Sequence, residues 1–78
     1  MKLYINWTDR TFYTEDTIDN ILDDYPHIID DAENVMAQDY TIRDIISIGS
    51  SAAQKKLDEY IDETIKDFID MDFTAYDI

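Results

Sequence analysis

The side chains that can move protons, hold metals or attack carbon are few in this chain. His27 is the only histidine, and cysteine is absent. One histidine makes neither a two-histidine metal site nor an H-E-x-x-H helix. Without cysteine there is no disulfide, thiolate ligand or thiol nucleophile, which suits a reducing compartment. Ser47, Ser50 and Ser51 are the only serines, and none lies in a G-x-S-x-G elbow. Gly49 is the only glycine, so no phosphate-cradling loop can form. Asp70-x-Asp72 has the spacing that opens a calcium loop. Ala75 stands where that loop requires glycine, and no glutamate follows at its last position. His27, just after Pro26, reads as a loop residue without a partner network. Paired carboxylates abound, but so small a chain offers little room for the enclosed pocket that would split their pKa values. No enzyme activity, cofactor or metal is expected.

What remains is acid. The chain carries 19 Asp and Glu against 6 Lys and Arg, a net charge of −13. Nucleic acid phosphates and anionic membranes are therefore excluded as direct partners. From Thr11 through Ile42 there is no base at all, yet nine acids: Glu15, Asp16, Asp19, Asp23, Asp24, Asp30, Asp31, Glu33 and Asp39. Helix first turns account for Glu15, Asp16, Asp30, Asp31 and Glu33, because the helix dipole favours anions there. Asp19, Asp23, Asp24 and Asp39 have no such account. Read on one helix, Glu15–Asp19 and Asp19–Asp23 are like-charge i,i+4 pairs, each unfavourable by a few tenths of a kcal/mol. The last acidic segment differs. Lys55–Glu59, Asp62–Lys66 and Lys66–Asp70 are expected as compensating i,i+4 pairs worth about 0.2–0.5 kcal/mol each.

The elements that must carry these acids follow from apolar spacing. Lys2 to Trp7 alternates, with Leu3, Ile5 and Trp7 opposite Lys2, Tyr4 and Asn6. Thr11-Phe12-Tyr13 resumes the β-favouring residues, giving a short hairpin without an Asn-Gly or Asp-Gly turn. Trp7, Phe12, Tyr13 and Tyr25 read either as interface anchors or as core; the core is favoured for Trp7 and Phe12, and Tyr4 and Tyr13 are divided evenly between core and surface. Thr14 reads as a helix N-cap, and Ile18, Ile21, Leu22 and Tyr25 form a helical stripe that Pro26 ends. A second helix spans about Ile28 to Gln38, striped by Ile28, Ile29, Ala32, Val35 and Met36. Thr41 caps a third, with Asp44 in a partial capping box, an apolar side of Ile42, Ile45, Ile46 and Ile48, and Gly49 as its stop. Ser50 or Ser51 caps the longest helix, about Ala52 to Asp70. Its seam is Ala53, Leu57, Tyr60, Ile61, Thr64, Ile65, Phe68 and Ile69. Met71, Phe73 and Ala75 then alternate with Asp72 and Thr74. This tail reads as a third strand joining the hairpin or as a trailing helix end, and the alternation favours the strand.

The expectation is one α+β domain over residues 1–78: a short N-terminal β-hairpin, joined by a C-terminal strand, packed with three to four helices. High charge at modest hydrophobicity resembles disorder. Against that stand 20 Leu, Ile, Val and Phe among 78 residues, 13 of them the stiff isoleucine, with one glycine and one proline. No apolar run reaches the roughly 20 residues that span a bilayer, and Met1 to Trp7 lacks the regions of a secretion signal. A cytoplasmic location is expected. A helix-turn-helix over Ile28–Ile48 is rejected, because Arg43 is the only base between Thr11 and Gln54.

Rows of carboxylates on rigid helices can imitate a phosphate backbone. Acids four apart repeat every ~6 Å along a helix, and each DNA strand offers a charge every ~3.4 Å of axis. Arginine forks grip carboxylates and phosphates with the same geometry. The nine acids are thus a candidate surface for a basic protein partner. In type, the chain resembles the small acidic anti-CRISPR and anti-restriction inhibitors encoded by bacteriophages and mobile elements. The resemblance covers size, absence of cysteine, the hairpin-plus-helices build and the acidic run Glu15 to Asp39. It involves no diagnostic motif and transfers no residue roles. It implies stoichiometric inhibition by occupying a DNA-binding or target-recognition surface, such as that of a CRISPR effector, inside a bacterial cell. The alternative is a regulatory module of antitoxin type, pairing with another protein or a second copy through the seam Leu57 to Ile69, with the acids serving solubility.

Overall fold

The computed structural model describes residues 1–78. Strands β1 (Lys2–Asn6), β2 (Thr11–Thr14) and β3 (Thr74–Asp77) form an antiparallel sheet in the order β2-β1-β3. The tail is thus a strand, and it joins the hairpin on the open side of β1. Four helices lie between β2 and β3: α1 (Ile21–Asp24), α2 (His27–Asp39), α3 (Ile42–Ile48) and α4 (Ser50–Asp72). The fold is α+β, as the spacing of apolar residues implies. No helix is long and apolar enough to cross a membrane.

The hairpin turns without glycine because side chains hold it. Asn6 is buried; its amide donates to Asp9 Oδ2 at 3.2 Å and its Oδ1 accepts from the Asp9 backbone N–H at 3.0 Å. Arg10 takes the left-handed turn at φ 58°. Such pairing between a short polar side chain and nearby backbone replaces the turn chemistry that glycine would supply.

The segment after β2 departs from expectation. Thr14 does not cap a helix; it ends β2. Its N–H donates to Thr17 Oγ1 at 2.9 Å, and its carbonyl accepts from the Thr17 N–H at 3.1 Å. A 3-10 turn over Ile18–Asn20 follows, and only Ile21–Asp24 is α-helical. Polar side chains competing for backbone groups shorten the helix from its start, and Pro26 limits it at its end. The stripe survives the loss of helix: Ile21 is fully buried, and Ile18, Leu22 and Tyr25 pack against the same cluster.

Pro26 serves as N-cap of α2, so His27 opens that helix instead of sitting in a loop. Ile28, Ala32 and Met36 are buried along one face of α2, which lies along α4. Thr41 and Asp44 form a complete reciprocal capping box on α3. Gly49 ends α3 at φ 86°, ψ 160° and begins α4 directly; neither Ser50 nor Ser51 caps that helix. The α4 seam faces inward, with Ile65 and Ile69 buried and the rest half-buried. The core is Tyr13, Ile21, Ile28, Ile65 and Ile69, sealed by Tyr4, Tyr25, Phe68 and Phe73 among others.

This core lies on the Tyr4–Tyr13 side of the sheet. Trp7 and Phe12, expected inside, are 61% and 56% exposed on the other side. Ile42 and Ile46 of α3 are also exposed, at 80% and 75%. The long α4 sets the shape, with extents of 45 × 22 × 18 Å.

Candidate functional site

All nine acids singled out from the sequence are exposed. The fold gives them different surroundings. Asp24 accepts a short hydrogen bond from the Tyr13 hydroxyl. Asp39 accepts from the Tyr60 hydroxyl at 2.7 Å. Glu15 Oε1 accepts from the Lys2 backbone N–H at 3.1 Å, tying the 14–17 turn to the start of β1. These three have structural duties that local sequence could not reveal. Asp24 and Asp39 thereby receive the account they lacked.

The remaining six are Asp16, Asp19, Asp23, Asp30, Asp31 and Glu33, and their places also differ from expectation. Residues 15–23 are not one helix, so Glu15, Asp19 and Asp23 do not form an i,i+4 row. Of the acids on α2, only Asp30 lies in the first turn; Asp31 and Glu33 lie beyond it. Neither helix-dipole stabilisation nor a hydrogen bond explains Asp31 or Glu33.

The acids of α4 are more open than the sequence implies. The sole ion pair is Lys56–Glu59, at 3.6 Å. Lys55–Glu59, Asp62–Lys66 and Lys66–Asp70 do not close, because exposed i,i+4 pairs scarcely repay the ordering of two long side chains. Asp58, Asp62, Glu63, Asp67 and Asp70 thus add uncompensated charge. Sequence reasoning discounted Asp62 and Asp70 as paired.

One groove brings Glu15 and Asp19 together with Asp62 and Asp70 of α4; the other seven acids singled out from the sequence lie outside it. It has a volume of about 630 Å³ and runs between α4, the 3-10 turn and the β1–β3 edge. Tyr4, Ile18, Ile65, Ile69 and Phe73 form its apolar floor, and Glu15, Asp19, Asp62 and Asp70 line it with Lys2 and Lys66. Carboxylates here flank an apolar trough, an arrangement that suits the stem and charged head of a lysine or arginine. A smaller depression of about 340 Å³ is lined by Asp9, Tyr25, His27, Phe68 and Asp72, among others. There the His27 ring meets the Phe68 ring edge-on, with centroids 5.4 Å apart. No three His, Asp or Glu side chains converge closely enough to hold a metal ion.

Tyrosines answer the acids electrostatically. Burial, reinforced by Asp24, pushes the Tyr13 phenol well above its ordinary value. Burial likewise raises Tyr25, whose hydroxyl donates to Asp9 at 2.8 Å and sits 2.7 Å from Thr11 Oγ1. Tyr60 is pushed up to about 12, chiefly by its hydrogen bond to Asp39. Asp44 is held below the usual carboxylate range by the Thr41 backbone and hydroxyl. All four groups keep their ordinary ionisation at neutral pH.

Of the seam Leu57 to Ile69, Ile61, Ile65, Phe68 and Ile69 pack into the chain's own core, and Leu57, Tyr60 and Thr64 are half-buried. No protein-family model matches this chain, and no curated protein or solved structure shows detectable similarity to it.

Proposed function

We propose that this protein is a stoichiometric, non-catalytic inhibitor that occupies the basic nucleic-acid-binding surface of a nuclease or another nucleic-acid-handling protein. The observation that carries this reading is charge laid along a narrow body. Net charge of −13 over 45 Å is one charge per ~3.5 Å, against ~3.4 Å of axis per charge on one DNA strand. The body is only 22 × 18 Å across, slim enough to enter a groove built for nucleic acid. Exposed acids on the 3-10 turn, α2 and α4 supply the charge. The partner is a basic protein, of the kind that anti-CRISPR and anti-restriction inhibitors block, and the site of action is the cytoplasm.

The test is capture. Immobilised protein is incubated with nuclease-treated bacterial lysate, and bound proteins are eluted in rising salt. Nucleic-acid enzymes released at intermediate salt, and displaced by duplex DNA, are the expected result. A variant carrying Asp16→Asn, Asp19→Asn and Asp23→Asn removes three charges that make no observed hydrogen bond. It should fold normally and bind the captured enzyme at least tenfold more weakly, or about 1.4 kcal/mol. Unchanged affinity in that variant, or capture that DNA does not compete, rejects the reading.

A further inference from the structure

One side of the sheet carries no charged residue at any of its strand positions. Alternation along β1 puts Leu3 and Ile5 opposite the core-facing Tyr4. Register then places Phe12 and Thr74 beside Ile5, and Thr14 and Tyr76 beside Leu3. Trp7 continues the same side, where its ring meets Phe12 edge-on at 6.4 Å and its indole N–H donates to the Tyr76 hydroxyl at 3.2 Å. The core cluster packs on the Tyr4–Tyr13 side; on this side Ile5 is buried, while Trp7, Phe12 and Tyr76 are 61%, 56% and 39% exposed. These rings are fixed by one another, so ordering them costs little on association. Charged residues make up 32% of the chain, yet none occupies a strand position on this side.

We propose that this face docks on the same face of a second copy, stacking two three-stranded sheets back to back. Charge selects the occupant. An uncharged face is complemented by an uncharged face, and a second copy brings one. Sheet-on-sheet packing also turns both sets of acidic helices outward, which keeps the two charges of −13 as far apart as the molecule allows. Association through the acidic faces of α2 or α4 would press carboxylates together. The symmetry is of the self-complementary two-fold kind, with sheets ~10 Å apart.

Area sets the strength. At ~150–250 Å² per large aromatic, the exposed parts of Trp7, Phe12 and Tyr76 offer roughly 300 Å². Met1 and Ile78, 63% and 70% exposed, extend the face. The total across both copies is then roughly 1,000 Å², at the lower bound for a specific interface. A reversible dimer, with Kd on the order of micromolar, is the consequence.

Trp7 is the only tryptophan and lies on this face, so it reports contact directly. Sedimentation velocity and Trp7 emission are measured together from micromolar to millimolar protein, at low and high salt. The expected result is a doubling of mass with a blue shift at the same midpoint. High salt should tighten the dimer, because it screens only repulsion. That is opposite to the salt effect expected for the inhibitory surface, so the two readings fail independently. Phe12→Asp should abolish the dimer with far-ultraviolet circular dichroism unchanged, since Phe12 is outside the core. Thr74→Lys on β3 should do the same if Phe12→Asp fails to fold. A monomer at millimolar protein with constant, water-exposed Trp7 emission overturns the proposal. So does a dimer that survives both substitutions, which would be held elsewhere, as by Ile42 and Ile46.

Discussion

Three tyrosines reach across the fold to carboxylates: Tyr13 to Asp24, Tyr25 to Asp9, and Tyr60 to Asp39. Each bond joins different elements, so no local spacing announces it. Periodicity could place Tyr60 and Tyr25 on inward stripes, but it could not say which acid their hydroxyls would meet. The energetic consequence appears in alkali. The hydrogen bond to Asp39 pushes the Tyr60 phenol from its ordinary 10.0 up to about 12 in the folded chain. A raised pKa means that its contribution is complete below pH 10 and is lost as pH climbs toward 12. Thermal melts across that window should show falling stability. Tyr60→Phe should flatten part of the fall and leave the remainder to Tyr13 and Tyr25. An identical alkaline profile in Tyr60→Phe would mean that the Asp39 bond contributes nothing to stability.

At the level of elements, caps and stripes were the legible features. Thr41 with Asp44 announced α3, and Gly49 announced its end. The 3.6-residue stripe of α4 was correct along its whole length. The first helix was misjudged because Thr14 and Thr17 bond each other, and a stripe reports which side is inward without requiring a continuous helix. The sheet was misjudged in a second way. Alternation correctly grouped Leu3, Ile5 and Trp7 on one side, but the more apolar side proved to be the outer one. Tyr13 and Asn6 turn inward because Asp24 and the hairpin turn satisfy their polar atoms there, and Tyr4 follows by alternation. Gly49 offers a clean test of an element junction. A Cβ there would meet nothing within 4 Å, so only the backbone conformation is at stake. At φ 86° and ψ 160°, Gly49→Ala should destabilise by about 1–3 kcal/mol. A urea midpoint lowered with unchanged slope would confirm it, and an unchanged midpoint would show that α3 and α4 can be joined another way.

Only 9 of 78 residues are buried, so the molecule as a whole folds around a thin core against its own charge. On α4 alone, Asp58–Asp62, Glu59–Glu63 and Glu63–Asp67 are like-charge i,i+4 neighbours, each unfavourable by a few tenths of a kcal/mol. Raising salt at neutral pH should relieve about 1 kcal/mol, or roughly 4–8 °C in Tm for a domain of this size. A Tm that stays flat or falls with salt would mean that the acids are already compensated. The candidate surface was legible in the sequence as composition, since charge survives any arrangement. Its layout was not, because the groove unites the 3-10 turn with α4, and their adjacency depends on the whole chain.

The sheet order has a consequence for synthesis. β1 lies in the middle, between the strand made next and a strand made only after all four helices. While the helices emerge from the ribosome, β1 has one partner and one bare edge, and that edge waits for Thr74–Asp77. Bare edges recruit strands from neighbouring chains. The nascent chain is most exposed to this hazard on a polysome, where copies are crowded. Its accumulating negative charge grows over the same interval, holding neighbours apart until β3 arrives. The charge proposed to capture a partner late in the protein's life would also act early, as protection against its own siblings.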